Sequence, residues 1–171
     1  VFSQLDVSCV VAGNNAPKEL RKLVDRYTNV ELLEDVSTEQ LHQMIREAQV
    51  NVLYTNQSTG IKLKLINALY RGKHIVVNPT MVEGTNLDQA CTVAKDFTSI
   101  VQKIKEKLAT NYTEDQRKAR LDYLHHNFNN LQSAHEFLAI IPDKTEDSSP
   151  QKEKQIKYLS QISSFLSYFS L

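Results

Sequence analysis

Residues 50–78 read VNVLYTNQSTGIKLKLINALYRGKHIVVN, and the two ends of that stretch decide the fold. Val50 to Tyr54 and His74 to Asn78 are short, β-branched apolar runs, the second stopped by Pro79; runs of this length bounded by turn residues read as strands. Between them, Ile61 to Tyr70 reads as a helix, with Gly72 as its left-handed cap. Strand, helix, strand in under thirty residues is the unit of a parallel sheet.

The same alternation continues outward. Upstream, Val7 to Ala12 is a compact run closed by Gly13, predicted as a strand buried on both faces. Pro17 opens a helix through Tyr27 that carries Leu20, Leu23 and Val24 on one stripe. Val30 to Leu33 is a further strand. Ser37-Thr38-Glu39-Gln40 is a helix start with a hydroxyl cap, followed by the stripe Leu41, Met44, Ile45 and Ala48. Downstream, Cys91 to Ala94 is a fifth, shorter strand, and helices follow over Thr98 to Leu108 and from Thr113 to about Ile140. The reading is an α/β fold: a Rossmann-like, doubly wound parallel sheet with helices on both faces, in one domain. That domain is expected over residues 1–141, with a polar linker at 142–154 and an amphipathic helix at 155–171. Ile156, Leu159, Ile162, Phe165, Leu166 and Phe169 give the last helix a stripe to bury on its own domain, on a partner or at a membrane interface.

Charge and composition narrow the function classes. Among 171 residues, 20 Lys+Arg balance 20 Asp+Glu. A chain with no net charge has no field to draw it onto nucleic acid or anionic lipid. With 41% apolar residues, disorder throughout is excluded. Cys9 and Cys91 lie far apart in strand-like runs and read as buried thiols of a reducing compartment. No apolar run approaches the ~20 residues of a membrane span, and Val1 to Asp6 lack the basic and apolar regions of a signal peptide. The expectation is a cytoplasmic, soluble domain without a transmembrane segment. The five histidines have no zinc-like spacing, so no metal site is predicted.

In open parallel sheets ligands bind beyond the carboxyl ends of the strands. The loop after Tyr54 runs Thr55-Asn56-Gln57-Ser58-Thr59-Gly60-Ile61-Lys62-Leu63-Lys64. A polar loop with Gly60 at a helix start suits an anion, because the first helical amides have no internal partner. Lys62 and Lys64 are then expected in or near the first turn, where a cation is disfavoured by roughly 0.3–1 kcal/mol. A bound phosphate would turn that misfit into attraction; the plain alternative is that both point to solvent. Gly13-Asn14 after the first strand offers a tight turn or a close backbone approach to ligand. Neither G-x-x-x-x-G-K-[ST] nor G-x-G-x-x-G occurs.

Taken together, Val10-Val11-Ala12-Gly13-Asn14-Asn15-Ala16-Pro17 with Leu20, Asn29 to Leu33, Leu41 to Ala48, Thr59 to Leu69 and Gly72 to Val77 resemble a known pattern. It is that of the carboxy-terminal, nucleotide-sugar-binding domain of GT-B-fold retaining glycosyltransferases of the group 1 type. Arg117, Arg120, Leu121, His126, Phe128 and Asn129 resemble that family's closing helix.

The resemblance implies a UDP- or GDP-linked sugar as donor substrate, no other cofactor, and transfer of a hexosyl group with retention and without a metal. It places Gly60, Ile61 and the amides after them against the diphosphate, with Lys62 and Lys64 as cations. Thr59 and Asn67 fall where the family has its paired glutamates, near the sugar and the ribose hydroxyls. Asn67 can still bond a hydroxyl, more weakly than a carboxylate. Glu34-Asp35 corresponds to the base-contacting region, and Glu83-Gly84, in the loop Met81 to Thr85, to the sugar or pyrophosphate; solvated turns are the alternative at both places. No catalytic residue is identified.

Val1 to Gln4 resemble the end of that family domain's first helix, so its first strand and the amino-terminal acceptor domain have no counterpart in the sequence. Loss of a central strand would leave two open edges, and a partner chain, the tail helix or residues preceding Val1 are expected to cover them. The second reading is a non-catalytic binding or interaction module of the same fold, lacking the paired glutamates. An unrelated doubly wound signalling domain comes last, since the early paired acids of a phospho-receiver are missing.

Overall fold

The computed structural model describes residue 1, residues 4–58 and residues 62–128. The chain divides into two compact units, Val1–Tyr123 and Leu124–Leu171. The expected linker at 142–154, the helix at 155–171, the end of the long helix beyond 128 and the residues Thr59, Gly60 and Ile61 lie outside the described residues.

In the first unit the elements alternate as the sequence predicts. They run β1 (Cys9–Gly13), α1 (Lys18–Val24), β2 (Val30–Glu34), α2 (Thr38–Glu47), β3 (Val50–Leu53), α3 (Leu63–Arg71), β4 (His74–Val77), α4 (Pro79–Val82), β5 (Thr92–Val93) and α5 (Phe97–Leu108), and α6 (Glu114–Asn127) begins in it. β1 pairs in parallel with β2, from Cys9 opposite Val30 to Gly13 opposite Glu34. β4 is flanked in parallel by β3 and β5. This is the Rossmann-like α/β architecture, parallel strands flanked by helices.

The sheet is in two pieces. β1 has only β2 beside it and β3 has only β4, and no ladder joins β1 to β3 among the described residues. From β1 the order steps outward to β2, whereas from β3 it steps through β4 to β5. A reversal of winding of this kind is a topological switch point.

Capping chemistry sets several boundaries. The Ser37 hydroxyl accepts from the Gln40 amide at 3.2 Å while the Gln40 side chain accepts from the Ser37 amide at 2.8 Å. Asp96 and Ser99 make the same reciprocal pair ahead of α5; such caps stabilise a helix by about 0.5–2 kcal/mol. The core gathers Leu5, Val76, Ala94, Ile100, Val101 and Ile104, with Val50, Val52 and Leu108 packed against it. β4 is buried throughout.

Four local expectations are corrected. β1 is not buried on both faces: its residues alternate between half-buried and exposed, and Val10 keeps 47% of its surface. Among the described residues no strand pairs with its second edge. Gly72 is not a left-handed cap but extended, with φ −81° and ψ 171°. Glycine is required there for room, since a Cβ would lie 2.6 Å from Asn51 Nδ2 and 2.9 Å from the Ala68 carbonyl oxygen. Pro79 does not merely stop a strand; it opens α4, whose Met81 is fully buried, so the loop expected from Met81 begins at Glu83. Pro at a first helical position forfeits no hydrogen bond, which is why it starts a turn here. Cys9 and Cys91 are half-buried, not buried, and unpaired. Burial pushes both thiols up, Cys91 to about 12 with help from Asp88, so neither is a reactive thiolate.

No helix among the described residues is long and apolar enough to cross a membrane.

Candidate functional site

The strand bounds place the described candidate residues in or after the carboxyl-end loops. Gly13 and Asn14 close β1, Glu34 and Asp35 close β2, and Glu83 and Gly84 follow the turn after β4, while Lys62, Lys64 and Asn67 open the helix after β3. In a doubly wound sheet the crevice at this end, at the switch point, is where ligands bind.

The loop after β3 is held at both ends. At its start, Asn78, 5% exposed, engages both backbone groups of Thr55: its Nδ2 donates to the carbonyl at 2.7 Å and its Oδ1 accepts from the amide at 3.1 Å. The amide side chain thus extends the β4 edge by one residue where the main chain has turned away. The Thr55 hydroxyl then accepts from the Gln57 amide at 3.1 Å. Farther along, Lys62 Nζ donates to the Gln57 carbonyl at 2.7 Å, and Lys64 Nζ to the Tyr54 carbonyl at 3.4 Å.

The two lysines therefore differ from one another. α3 begins at Leu63, so Lys62 is its N-cap and not part of the first turn; its side chain is 8% exposed. A cap needs extended or irregular backbone, and Lys62 supplies it at φ −87° and ψ 57°. Lys62 is not one of the solvent-facing cations of the plain alternative. Lys64 is exposed and stands in the first turn, which contains no acidic residue and no side-chain cap. The carbonyl that Lys64 bonds is neutral, and its ammonium group stands at the positive end of the helix dipole.

Lys64 and Asn67 share the wall of a cleft of about 600 Å3 between β1 and β3. One turn farther along α3, Arg71 Nη1 donates to Asn67 Oδ1 at 3.5 Å.

Around β1 and β2 the carboxylates are unequal. Glu34 takes Arg21 in a forked pair, Nε to Oε2 and Nη2 to Oε1, both at 2.8 Å, and accepts the Ala16 amide at 2.9 Å. The Arg21 hydrogen bond, then the Ala16 amide, hold the carboxyl below the usual range. These contacts tie the β1 loop to the end of β2. Asp35 is exposed with φ 54°, and Asn15 takes the same left-handed value after Asn14; Asn and Asp are the side chains that tolerate that region best. A Cβ on Gly13 would meet nothing within 4 Å, so its backbone faces open space. Gly84 has φ +70° and lies outside any close contact, in a turn where the Thr85 hydroxyl donates to the Val82 carbonyl at 2.7 Å.

Two features of this end were missed in the sequence. Asn78 looks there like the last residue of a strand; its clamp depends on where Thr55 lies in space. Tyr54 and Phe97 stack with ring centroids 5.5 Å apart and 22° between planes, both largely exposed. They come from the end of β3 and the start of α5, a pairing that no spacing announces.

Arg120 is buried at the opposite end of β4. It is 8% exposed, donates Nη1 to the Lys73 carbonyl at 2.6 Å and Nη2 to the Gly72 carbonyl, and lies 5.1 Å from the Tyr112 ring centroid. That cluster anchors the start of α6. Among the described residues no group of three His, Cys, Asp or Glu could hold a metal ion.

No curated protein and no solved structure matches the chain. Residues 1–110 match the family model described as Glycosyl transferases group 1.

Proposed function

The chain belongs to the group 1 glycosyl transferases, and from that premise we propose that it is the donor-binding part of such an enzyme. It is the carboxy-terminal half of a GT-B fold and takes the diphosphate of a UDP- or GDP-linked sugar at the carboxyl ends of β1 and β3. The observation that carries the reading is the start of α3: an uncapped helix end without an acid in its first turn, where Lys64 stands exposed. Helix amides and an ammonium group there form a ready anion site.

In the proposed complex the Gly60 and Ile61 amides and Lys64 meet the diphosphate. Lys62 holds the loop in shape through Gln57 and adds its charge. Asn67 bonds a ribose hydroxyl, Thr59 lies near the sugar, and Gly13-Asn14 bring backbone close to the phosphates. Glu34 is engaged by Arg21 and Ala16, which leaves Asp35 as the carboxylate for the base. Glu83-Gly84 border the sugar. Charge developing on the leaving diphosphate is met in this reading by an ammonium group and main-chain amides, the kind of electrostatic stabilisation that lowers a barrier. The transfer is retaining and independent of a divalent metal, and the acceptor is held by a separate amino-terminal domain.

The test is a thermal titration of the 171-residue chain with UDP, GDP and their hexose conjugates. At a free concentration ten times Kd, binding adds about 1.4 kcal/mol and raises Tm by about 3–6 °C for a chain of this size. Lys64→Ala and Lys62→Ala reduce the shift. The absence of any shift at millimolar nucleotide would favour the non-catalytic interaction module, the reading to which the missing glutamates at Thr59 and Asn67 lend weight.

A further inference from the structure

Tyr54 and Phe97 form an aromatic step over the carboxyl ends of the strands. Tyr54 directly follows β3, and Phe97 opens α5, the helix that packs on β3 and β4. The buried stripe of α5 is Ile100, Val101 and Ile104. Phe97 precedes them by three, four and seven residues, so it lies on the same helix face. It is nonetheless 62% exposed. Its partner in the stack is already past the end of β3, so the stripe overhangs the sheet here instead of covering it. Both rings are held from the main chain. The Asp96 carboxylate accepts from the Ser99 amide at 2.7 Å and the Ser99 hydroxyl from the Asp96 amide at 3.0 Å, which fixes the start of α5. Asn78 clamps Thr55, the residue after Tyr54, and Lys64 Nζ donates to the Tyr54 carbonyl. The residue that supplies one ring thus has an ammonium group at its carbonyl.

We propose that this stack is the seat of the donor's hexosyl ring: the pyranose lies with its C–H face against Phe97 and Tyr54 while its phosphate meets Lys64. The proposal rests on the donor reading and extends it to the sugar. The order of groups along a nucleotide sugar fits the placement. Asn67, the proposed ribose contact, lines the cleft on the β1 side of β3 together with Lys64. The stack joins the end of β3 to the helix that follows β5, on the side of β3 where β4 and β5 continue the sheet. With the nucleoside on the first side and the diphosphate at the start of α3, the hexosyl group falls on the second.

Size and surroundings select the occupant. The open parts of the two side chains amount to on the order of 200 Å2. That matches the face of one six-membered ring, whereas a stable protein partner takes about 800 Å2 from each side. Lys95, Asp96 and Thr98, all exposed, flank Phe97 with polar groups. A pyranose has the matching character, with C–H bonds across its face and hydroxyls around its rim. A nucleobase is flat as well, but it would occupy the stack whether or not a sugar is attached, and that difference can be measured.

The chain contains no tryptophan, so Phe97→Trp places a single fluorophore on the platform. UDP, UDP-glucose, UDP-galactose, GDP and GDP-mannose are titrated into the full 171-residue chain, into this variant and into Phe97→Ala. For the nucleotide that binds, a hexose conjugate is expected to bind about five- to tenfold more tightly than the nucleotide alone, the scale of one aromatic contact. Phe97→Ala should remove that advantage and leave the Kd of the bare nucleotide unchanged. Phe97→Trp should keep the advantage, and its emission should change with the conjugate and not with the nucleotide. No advantage of any conjugate in the wild type, or an advantage that survives Phe97→Ala, overturns the proposal and leaves the donor reading standing. Tryptophan emission that responds equally to nucleotide and conjugate overturns it as well, by seating the base on the stack; this readout serves even where the alanine variant folds poorly. Binding of none of the five ligands brings down the donor reading, and this proposal with it.

Discussion

Asn78 holds Thr55 by both its main-chain groups, donating at 2.7 Å and accepting at 3.1 Å from the end of the neighbouring strand. The contact links β4 to the first residue of the loop proposed to bind the donor, so the shape of that loop is a property of the sheet. Asn78→Ala leaves a half-buried amide and carbonyl unpaired and is expected to cost about 1–3 kcal/mol. Denaturant unfolding measures the loss, and faster hydrogen exchange at the Thr55 and Gln57 amides separates loop release from general weakening. An Asn78→Ala chain with wild-type exchange there would remove the clamp from the account.

Gly72 is fixed by crowding. Gly72→Ala sets a methyl group 2.6 Å from Asn51 Nδ2 and 2.9 Å from a backbone carbonyl oxygen. The Asn51 side chain, now donating to the Ile45 carbonyl at 3.1 Å, has to give way, but Ala68 cannot. Overpacking of this kind is expected to cost about 1–3 kcal/mol, seen as a lower denaturation midpoint with an unchanged m-value.

Arg120 carries its charge into a buried site against the Gly72 and Lys73 carbonyls and the Tyr112 ring. Burial lowers its pKa from the usual guanidinium value, yet the group stays charged. Arg120→Ala removes the donor for two carbonyls and is expected to lose about 2–4 kcal/mol, on the scale of charged hydrogen bonds. Arg120→Lys recovers only part of this, because one ammonium cannot reproduce a planar fork. Equal stability of the two variants would contradict the forked anchor.

His74 gives the fold a dependence on pH. It is 6% exposed, its Nε2–H donates to the Thr110 carbonyl at 3.2 Å, and its ring meets Tyr112 edge-on at 5.1 Å. Burial, more than the nearby Lys107 and Arg120, holds its pKa below the ordinary histidine value of 6.5. The unfolded chain therefore takes up this proton first. The neutral ring contributes its full stability above pH 6.5 and loses it as pH falls from there through the lowered folded value. A series of Tm measurements from pH 7.5 downward should fall less steeply in His74→Gln than in the wild type, with both flat above the window.

Much of this architecture was legible in the chain because its signals are local. β-branched runs gave the strands, and the Ser37–Gln40 pair marked the start of α2 by spacing alone. The errors share one cause. The place of Gly72 after a helix predicts a cap, whereas its role is set by Asn51, distant in sequence. Val7 to Ala12 looked doubly buried because apolar runs do not say which neighbours are present. The candidate site divides in the same way: the loop proposed to bind an anion stands out in sequence through Gly60 and two lysines, but that Lys62 is a buried N-cap while Lys64 lines the cleft depends on where α3 begins. Asn78 and the Tyr54–Phe97 stack join separate elements and left no periodic trace.

The central claim is that a nucleoside diphosphate sits where the chain enters α3. Amide spectra of the isotope-labelled 171-residue chain, titrated with UDP and with GDP, test it most directly. One of the two should produce saturable shifts concentrated at Asn14, Lys64 and Asn67 and abolished or weakened at least tenfold in Kd by Lys64→Ala. Saturable shifts centred elsewhere, shifts indifferent to Lys64→Ala, or a spectrum unmoved by millimolar amounts of either nucleotide would contradict it.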